Sequence, residues 1–232
     1  MFCICFSAIY AKIAKIYNFA TRMADVLYIH GMGGGSDSRI PSILAEALAD
    51  RGISVHVRTY DFDPEVAHAQ IAGWVDEIGP DLVIGESLGS LHAMRISGVP
   101  HLFVSPALNA PFYFEFMAWL TLIPGVTPLF DRIYRPREGD RQKLHFTFHV
   151  LRKYRAHRRE AFACVAGAGR DDLYFAYIGR ADHYRRSGVV SLRTWKKHFH
   201  DAFKLYDGTH FMEEEYIYSI LIPAICNVLG IK

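Results

Sequence analysis

Ser87 stands between two glycines in the run Gly85-Glu86-Ser87-Leu88-Gly89. A short apolar run, Asp81-Leu-Val-Ile-Gly85, precedes it, and a helical pattern from Leu88 to Ser97 follows. A sharp strand-to-helix turn of this kind pushes a serine out at the tip of a sheet in a strained conformation. Residues two positions away must then be very small, because side chains there would collide; Gly85 and Gly89 meet that demand, and Ser90 adds another small residue. The hydroxyl would sit at the N-terminus of the following helix, where amide donors and the helix dipole favour negative charge. The chemistry this setting suits is nucleophilic attack, for which a serine needs a base and the base an orienting acid.

The acid and the histidine base are expected later in the chain, in that order. The strand-like run Leu173 to Gly179 leads into Arg180-Ala-Asp182-His183, and Phe203 to Tyr206 leads into Asp207-Gly-Thr-His210. Active groups gather outside the carboxyl ends of parallel strands, so Ser87, Asp182 and His210 are expected on one rim. Asp207 is the rival acid, on the same loop as His210. His183 adjoins Asp182 but follows the wrong strand for the base. Asp171 and Asp172 precede their strand and belong at the opposite rim. A tetrahedral intermediate also needs oxyanion donors. One is expected from the Leu88 amide. The second is sought in the loop after the first strand, His30-Gly31-Met32-Gly33-Gly34-Gly35, whose glycines let backbone approach a substrate closely. Met32 is the candidate donor, with His30 and Gly31 lining the substrate; the plainer alternative is a flexible connection with no catalytic part.

The elements that must position these residues alternate. Val26–Ile29, Ile53–Tyr60, 81–85, His101–Val104, 173–179 and 203–206 pattern as strands. Helical spacing runs from Ser38 to Arg51, stopped by Gly52, and from Pro64 to Ile78, closed by Gly79-Pro80. Repeated strand–helix units predict an α/β three-layer sandwich, a mostly parallel sheet with helices on both faces. The alternation breaks at about 109–164, expected to be a cap insertion over one end of the sheet in a single domain of residues 23–232. Residues 111–130 hold one charge, Glu115, and are interrupted by Pro111, Pro124, Gly125 and Pro128, so they do not form a straight membrane span. They could form a lid for an acyl chain, or simply pack the cap onto the domain. Residues 131–160 hold ten Lys/Arg and four Asp/Glu. The run Arg152-Lys153, Arg155, Arg158-Arg159 could hold an anion or meet a membrane surface; a solvated helix face is the preferred reading.

The chain has 232 residues, half of them hydrophobic, 22% charged, with a net charge of +2. That excludes a disordered or low-complexity protein and gives no ground for a nucleic-acid partner. Cys3, Cys5, Cys164 and Cys226 form no close-spaced framework, which suits reduced thiols and a cytoplasmic location. His198-x-His200-Asp201 has ligand types but does not make a metal site, and the glycine loop lacks the GK[ST] ending of a phosphate loop. Residues 1–22 read as a peripheral extension, with Met23 a possible natural start. About ten apolar residues there are too few to span a bilayer, so no stable membrane insertion is expected. A short interfacial helix is the rival, since Ile9, Ile13, Ile16 and Tyr17 fall at helical spacing.

His30-Gly31 after a hydrophobic strand, the Gly85–Gly89 turn and Gly208-Thr-His210 together resemble the α/β-hydrolase superfamily, and within it the small bacterial serine esterases of the YqiA/YcfP-like kind. The resemblance spans about residues 24–108 and 173–229. It implies Ser87 as nucleophile, His210 as base, Asp182 as acid, and neither metal nor organic cofactor. The expected function is hydrolysis of a small-molecule carboxylic ester through an acyl-enzyme, with a thioester or small amide as the alternative bond. The rival of another class is a non-catalytic binding protein on the same fold, against which the complete Ser–Asp–His order argues. Two departures bear on substrate class: the chain opens at the His-Gly strand, and the 109–160 segment is unusually aromatic. Oligomeric state is not legible in the sequence.

Overall fold

Six strands follow the apolar runs: β1 (Ala24–Ile29), β2 (Ile53–Val57), β3 (Leu82–Glu86), β4 (His101–Val104), β5 (Tyr174–Gly179) and β6 (Phe203–Tyr206). They form one sheet of order β2-β1-β3-β4-β5-β6, and every pairing is parallel. The computed structural model describes residues 23–136, 138–167 and 173–231. Residues 1–22, with the extension and interfacial-helix readings made for them, and Asp171 and Asp172 lie outside the described residues. The chain leaves β1 to β2 on one side and returns to β3 on the other. The loops after β1 and β3 therefore diverge at a switch point, which is where a crevice opens in such sheets.

Strand side chains alternate between two cores, as a two-residue period requires. Val26, Tyr28, Leu82, Ile84, Leu102 and Val104 face α1 (Arg39–Ala49) and the C-terminal helical run. That run is α9 (Glu214–Tyr216), a π-wound turn at Ile217–Leu221, and α10 (Ile222–Leu229). Leu27, Ile29, Val83, Phe103, Ala176 and Ile178 face the other layer. It is built from α2 (Pro64–Ile78), α3 (Gly89–Ala93), α4 (Ala110–Leu120), α6 (Phe148–Ala166) and α8 (Leu192–Phe199). Two short helices, α5 (Val126–Ile133) and α7 (Tyr184–Ser187), complete the described elements. None of the helices among the described residues is long and apolar enough to cross a membrane.

Local chemistry sets several boundaries. Asp63 caps α2 by accepting the Glu65 amide, Pro64 opens it, and Gly79 ends it at φ 58°. Strand β2 stops at Val57, short of the expected Tyr60, because Tyr60 turns inward to stack on His30, rings 4.3 Å apart. Helix α3 is also shorter than its 88–97 pattern. Beyond Ala93 the bonds tighten to a three-residue spacing, Arg95 to His92 and Ile96 to Ala93.

The 109–164 segment is distributed differently from a cap at the sheet's end. Leu151, Tyr154 and Ala161 of α6 are buried in the same core as Phe62, Ile71, Leu91 and Phe103, and this helix packs against α4, α2 and α3. Three of its five cations have partners in the fold, while Arg152 and Arg159 are exposed. Lys153 reaches Asp63 and Glu65, each at 2.7 Å, and Arg155 pairs with Glu115. Arg158 donates to the Leu108 carbonyl at 2.6 Å and lies over the rings of Phe112 and Phe162.

Candidate active site

Gly85 and Gly89 are forced by close approach. A Cβ on Gly89 would fall 2.3 Å from the His30 carbonyl oxygen and 2.4 Å from that of Ile29. One on Gly85 would fall 2.8 Å from the Ser90 Cα. Between them Ser87 holds φ 49°, the left-handed region that a non-glycine residue enters at a cost of about 1–3 kcal/mol when its surroundings dictate it. Here they do: the Ser87 amide donates to the Val104 carbonyl at 2.9 Å, and its own carbonyl accepts from Ala107 at 3.0 Å. The turn is bound to β4 on both sides and the hydroxyl is aimed off the rim.

The loops after β5 and β6 interlock. The Ala181 amide donates to the Gly208 carbonyl at 3.0 Å, and a Cβ on Gly179 would sit 2.3 Å from the carbonyls of both Gly208 and Thr209. This contact brings Asp182 to His210. His210 Nδ1 lies 2.8 Å from Asp182 Oδ2, and His210 Nε2 lies 2.9 Å from Ser87 Oγ. Both Asp182 and His210 are buried, so the carboxylate–imidazole contact is shielded from water. Asp182 Oδ1 accepts the Tyr184 amide at 2.8 Å, which leaves Oδ2 for the imidazole. The rival acid is elsewhere: Asp207 is exposed and pairs with Arg180 at 2.9 Å. His183 stays 6.0 Å from the His210 ring, centroid to centroid.

The glycine loop after β1 is held rather than loose. Gly31 lies against Ser87, whose Cβ would be 3.0 Å from one added at Gly31. Gln142, itself buried, accepts the Gly33 amide at 3.0 Å, donates its own amide to Gly34 at 2.7 Å, and reaches the Asp61 carbonyl. Arg141 bridges Gly35 and pairs with Asp37 at 2.6 Å. The amides of Leu88 and Met32 make no hydrogen bond among the described residues. His30 departs from its expected place: its side chain is fully buried and supports the loop from beneath instead of lining a substrate. Burial pushes its pKa down to about 4, against the partial support of the Gly31 carbonyl on Nδ1.

Sequence patterning missed Gln142 and Tyr184. The Tyr184 ring stands edge-on to His210 at 4.6 Å, and with Phe211, 5.2 Å from the same ring, it walls the imidazole. Its adjacency to the acid was the only signal available. A cavity of about 640 Å³ opens on the Asp182 side of this wall, lined by Arg180, His183, Arg185, Arg186 and Ser191. Among the described residues no group of three or more His, Cys, Asp or Glu side chains is placed to hold a metal.

The sequence matches no family model and no curated protein. Solved structures do match. Est1E from Butyrivibrio proteoclasticus with ferulic acid bound superposes at TM-score 0.58 and 17% identity, over 90% of each chain. A structure from the metagenome-derived lipolytic enzymes LipS and LipT gives 0.58 and 14%, over 90% of this chain and 94% of that one. A structure from work on carboxylesterases of the ammonia-oxidizing thaumarchaeon Nitrososphaera gargenis gives 0.55 and 14%, over 90% and 92%. The chain has the α/β-hydrolase fold. At these identities the likeness is one of architecture, and function has to be argued from the site.

Proposed function

We propose that this protein is a serine hydrolase that cleaves carboxylic esters through an acyl-enzyme. The observation that carries the reading is the unbroken relay from Asp182 Oδ2 through the His210 ring to Ser87 Oγ, at 2.8 and 2.9 Å, with Ser87 at φ 49°. Ser87 Oγ bonds to the ester carbon as its proton passes to His210 Nε2. Asp182 holds the proton on Nδ1, so that Nε2 is the basic nitrogen, and stabilises the imidazolium that forms. The carbonyl oxygen takes the negative charge and is met by the Leu88 and Met32 amides. Collapse breaks the ester bond, and the alcohol leaves with the proton from Nε2. Water, deprotonated by His210, then attacks the acyl-serine and releases the acid. A thioester or small amide would follow the same steps. Kinship with the small YqiA/YcfP-like esterases is part of this proposal, supported by the His-Gly loop and the serine turn.

The test is intact mass after exposure to a fluorophosphonate probe. Wild type is expected to gain one adduct and Ser87→Ala none. Absence of an adduct on wild type would overturn the reading in favour of a binding protein that keeps the pocket.

A further inference from the structure

Helix α4 turns an uncharged aromatic face to solvent. Its inward positions, Pro111, Phe114 and Ala118, are buried, while Phe112, Tyr113, Phe116 and Trp119 are exposed, Phe116 by 68%. The exposed apolar surface continues through Leu122 and Ile123 to Leu129 and Ile133 of α5, then Tyr134. The two helices are neighbours because they rest on the same stretch of chain. Trp119 packs on Phe148, while Thr127 Oγ1 donates to the Phe146 carbonyl and the Tyr134 ring lies tilted against Phe146 at 5.1 Å. A contiguous apolar face of this kind on a folded domain marks an interaction surface.

Charge on and around this face is one-sided. Both carboxylates between residues 110 and 136 already have partners. Glu115 is neutralised by Arg155, and Asp131 accepts the Phe146 amide at 2.9 Å and meets His145. Arg132 and Arg135 are exposed and make no ion pair among the described residues, and Arg152 lies over the Trp119 and Phe148 rings. An apolar, aromatic face rimmed by arginines matches an anionic lipid surface, where rings sink to headgroup depth and guanidinium groups meet phosphates. A second copy would fit less well, since an isologous interface sets this face against itself, arginines opposing arginines with no free carboxylate between them.

We propose that the α4–α5 face docks this protein on anionic membrane surfaces, without insertion across the bilayer. The face also borders the relay: the Tyr113 hydroxyl donates to the Ser187 carbonyl, and burial with Tyr134 and Asp182 nearby raises the Tyr184 hydroxyl above its ordinary pKa. Docking would therefore bring the rim of the site towards the lipid phase. The proposal stands whether or not Ser87 turns over an ester.

The experiment is flotation of the full chain with phosphatidylcholine vesicles, with and without phosphatidylglycerol. The variants are Phe116→Glu/Ile123→Glu, both at exposed positions, and Arg132→Gln/Arg135→Gln. Wild type is expected to float with the anionic vesicles and less with the neutral ones. The glutamate pair should lower recovery at least tenfold, and the arginine pair should cost roughly fivefold per cation on anionic vesicles alone. Thermal melting of each variant within a few degrees of wild type establishes that folding is intact. Failure of wild type to float would overturn the proposal. So would flotation unchanged in the glutamate pair, which would assign lipid contact to residues 1–22. A dimer in solution that the glutamate pair dissociates, with no flotation of wild type, would assign the face to a second copy.

Discussion

Acidification should unfold this protein through three histidines that the proposed chemistry does not use. Behind the serine turn the His30 ring stacks on Tyr60, Tyr60 meets His92 at 5.0 Å, and His92 lies 4.4 Å from His157. All three imidazoles are buried, and neither ring nitrogen of His92 has a partner among the described residues. Arg95 donates to His157 Nδ1 at 2.9 Å, and a permanently charged donor there requires a neutral, accepting imidazole. Burial, with the Arg95 charge and His68 adding to it, lowers His157 to about 3. Burial likewise lowers His30 to about 4 and takes His92 well below its ordinary value, with His157, His30, His68 and Arg95 all acting in the same direction. The Asp140 carboxylate opposes the shift at His30 and Glu160 lies on Arg95 at 3.0 Å, so neither reverses the balance. An unfolded histidine titrates near 6.5, so this contribution is fully present above that value and is lost as pH falls towards 3–4. At about pH 5 each unfolded imidazole gains about 2 kcal/mol from its proton while the folded His30 and His157 rings stay neutral, about 4 kcal/mol for these two, and His92 acts in the same direction. Whole domains are stable by only about 5–15 kcal/mol, so a loss of this size is a large fraction of the total. Urea unfolding followed by circular dichroism across this range measures it. His92→Phe, which sacrifices no hydrogen bond, should make the pH dependence shallower. A urea midpoint that does not move between about pH 7.5 and 5, or an unchanged slope in His92→Phe, would refute the reasoning.

Asp182→Asn should fold normally and lose about four orders of magnitude in ester turnover. The asparagine oxygen keeps the Tyr184 amide, so its NH2 faces His210 Nδ1 and forces the proton onto Nε2, where it cannot accept from Ser87. Near-normal kcat would transfer the role to another carboxylate. Gly89→Ala should destabilise by about 1–3 kcal/mol or more, since its Cβ meets two carbonyl oxygens of the β1 strand and loop. Gly73→Ala, inside α2 with nothing within 4 Å of the added carbon, should stabilise by about 0.5–1 kcal/mol. Melting curves that rank the two the other way would contradict the packing described here.

What could be read from the sequence and what could not divide along a physical line. Strand β4, strand β6 and helix α2 have the boundaries their patterns predict: β4 is a local apolar run buried on both faces, the edge strand β6 stops at the turn residues Asp207-Gly208, and α2 carries its own stop signals in Asp63, Pro64 and Gly79. Ser87, Asp182 and His210 each lie within four residues of a strand's end. Parallel pairing then sets their relative positions, so their convergence was legible before any contact was known. The roles that were not legible depend on partners far away in the chain. Gln142 lies in a stretch without periodicity, 109 residues from the Gly33 amide it accepts, and nothing local distinguishes it from the lysine and arginine beside it. His92 and His157 look like any exposed histidine until α6 is laid across α3. The expected cap said nothing of α6 packing on α3, so the meeting of the two rings was not legible. The same misplacement explains why Arg155 and Arg158 read as a solvated face: their partners, Glu115 and the Leu108 carbonyl, belong to a helix and a loop that only the packed layer brings near. Arg155 and Arg158 also lie over Phe112, so pairing with Arg155 leaves Glu115 neutralised beside the exposed rings of α4. The charge balance of the α4 face thus arises from the part of the structure that local patterning could not reach.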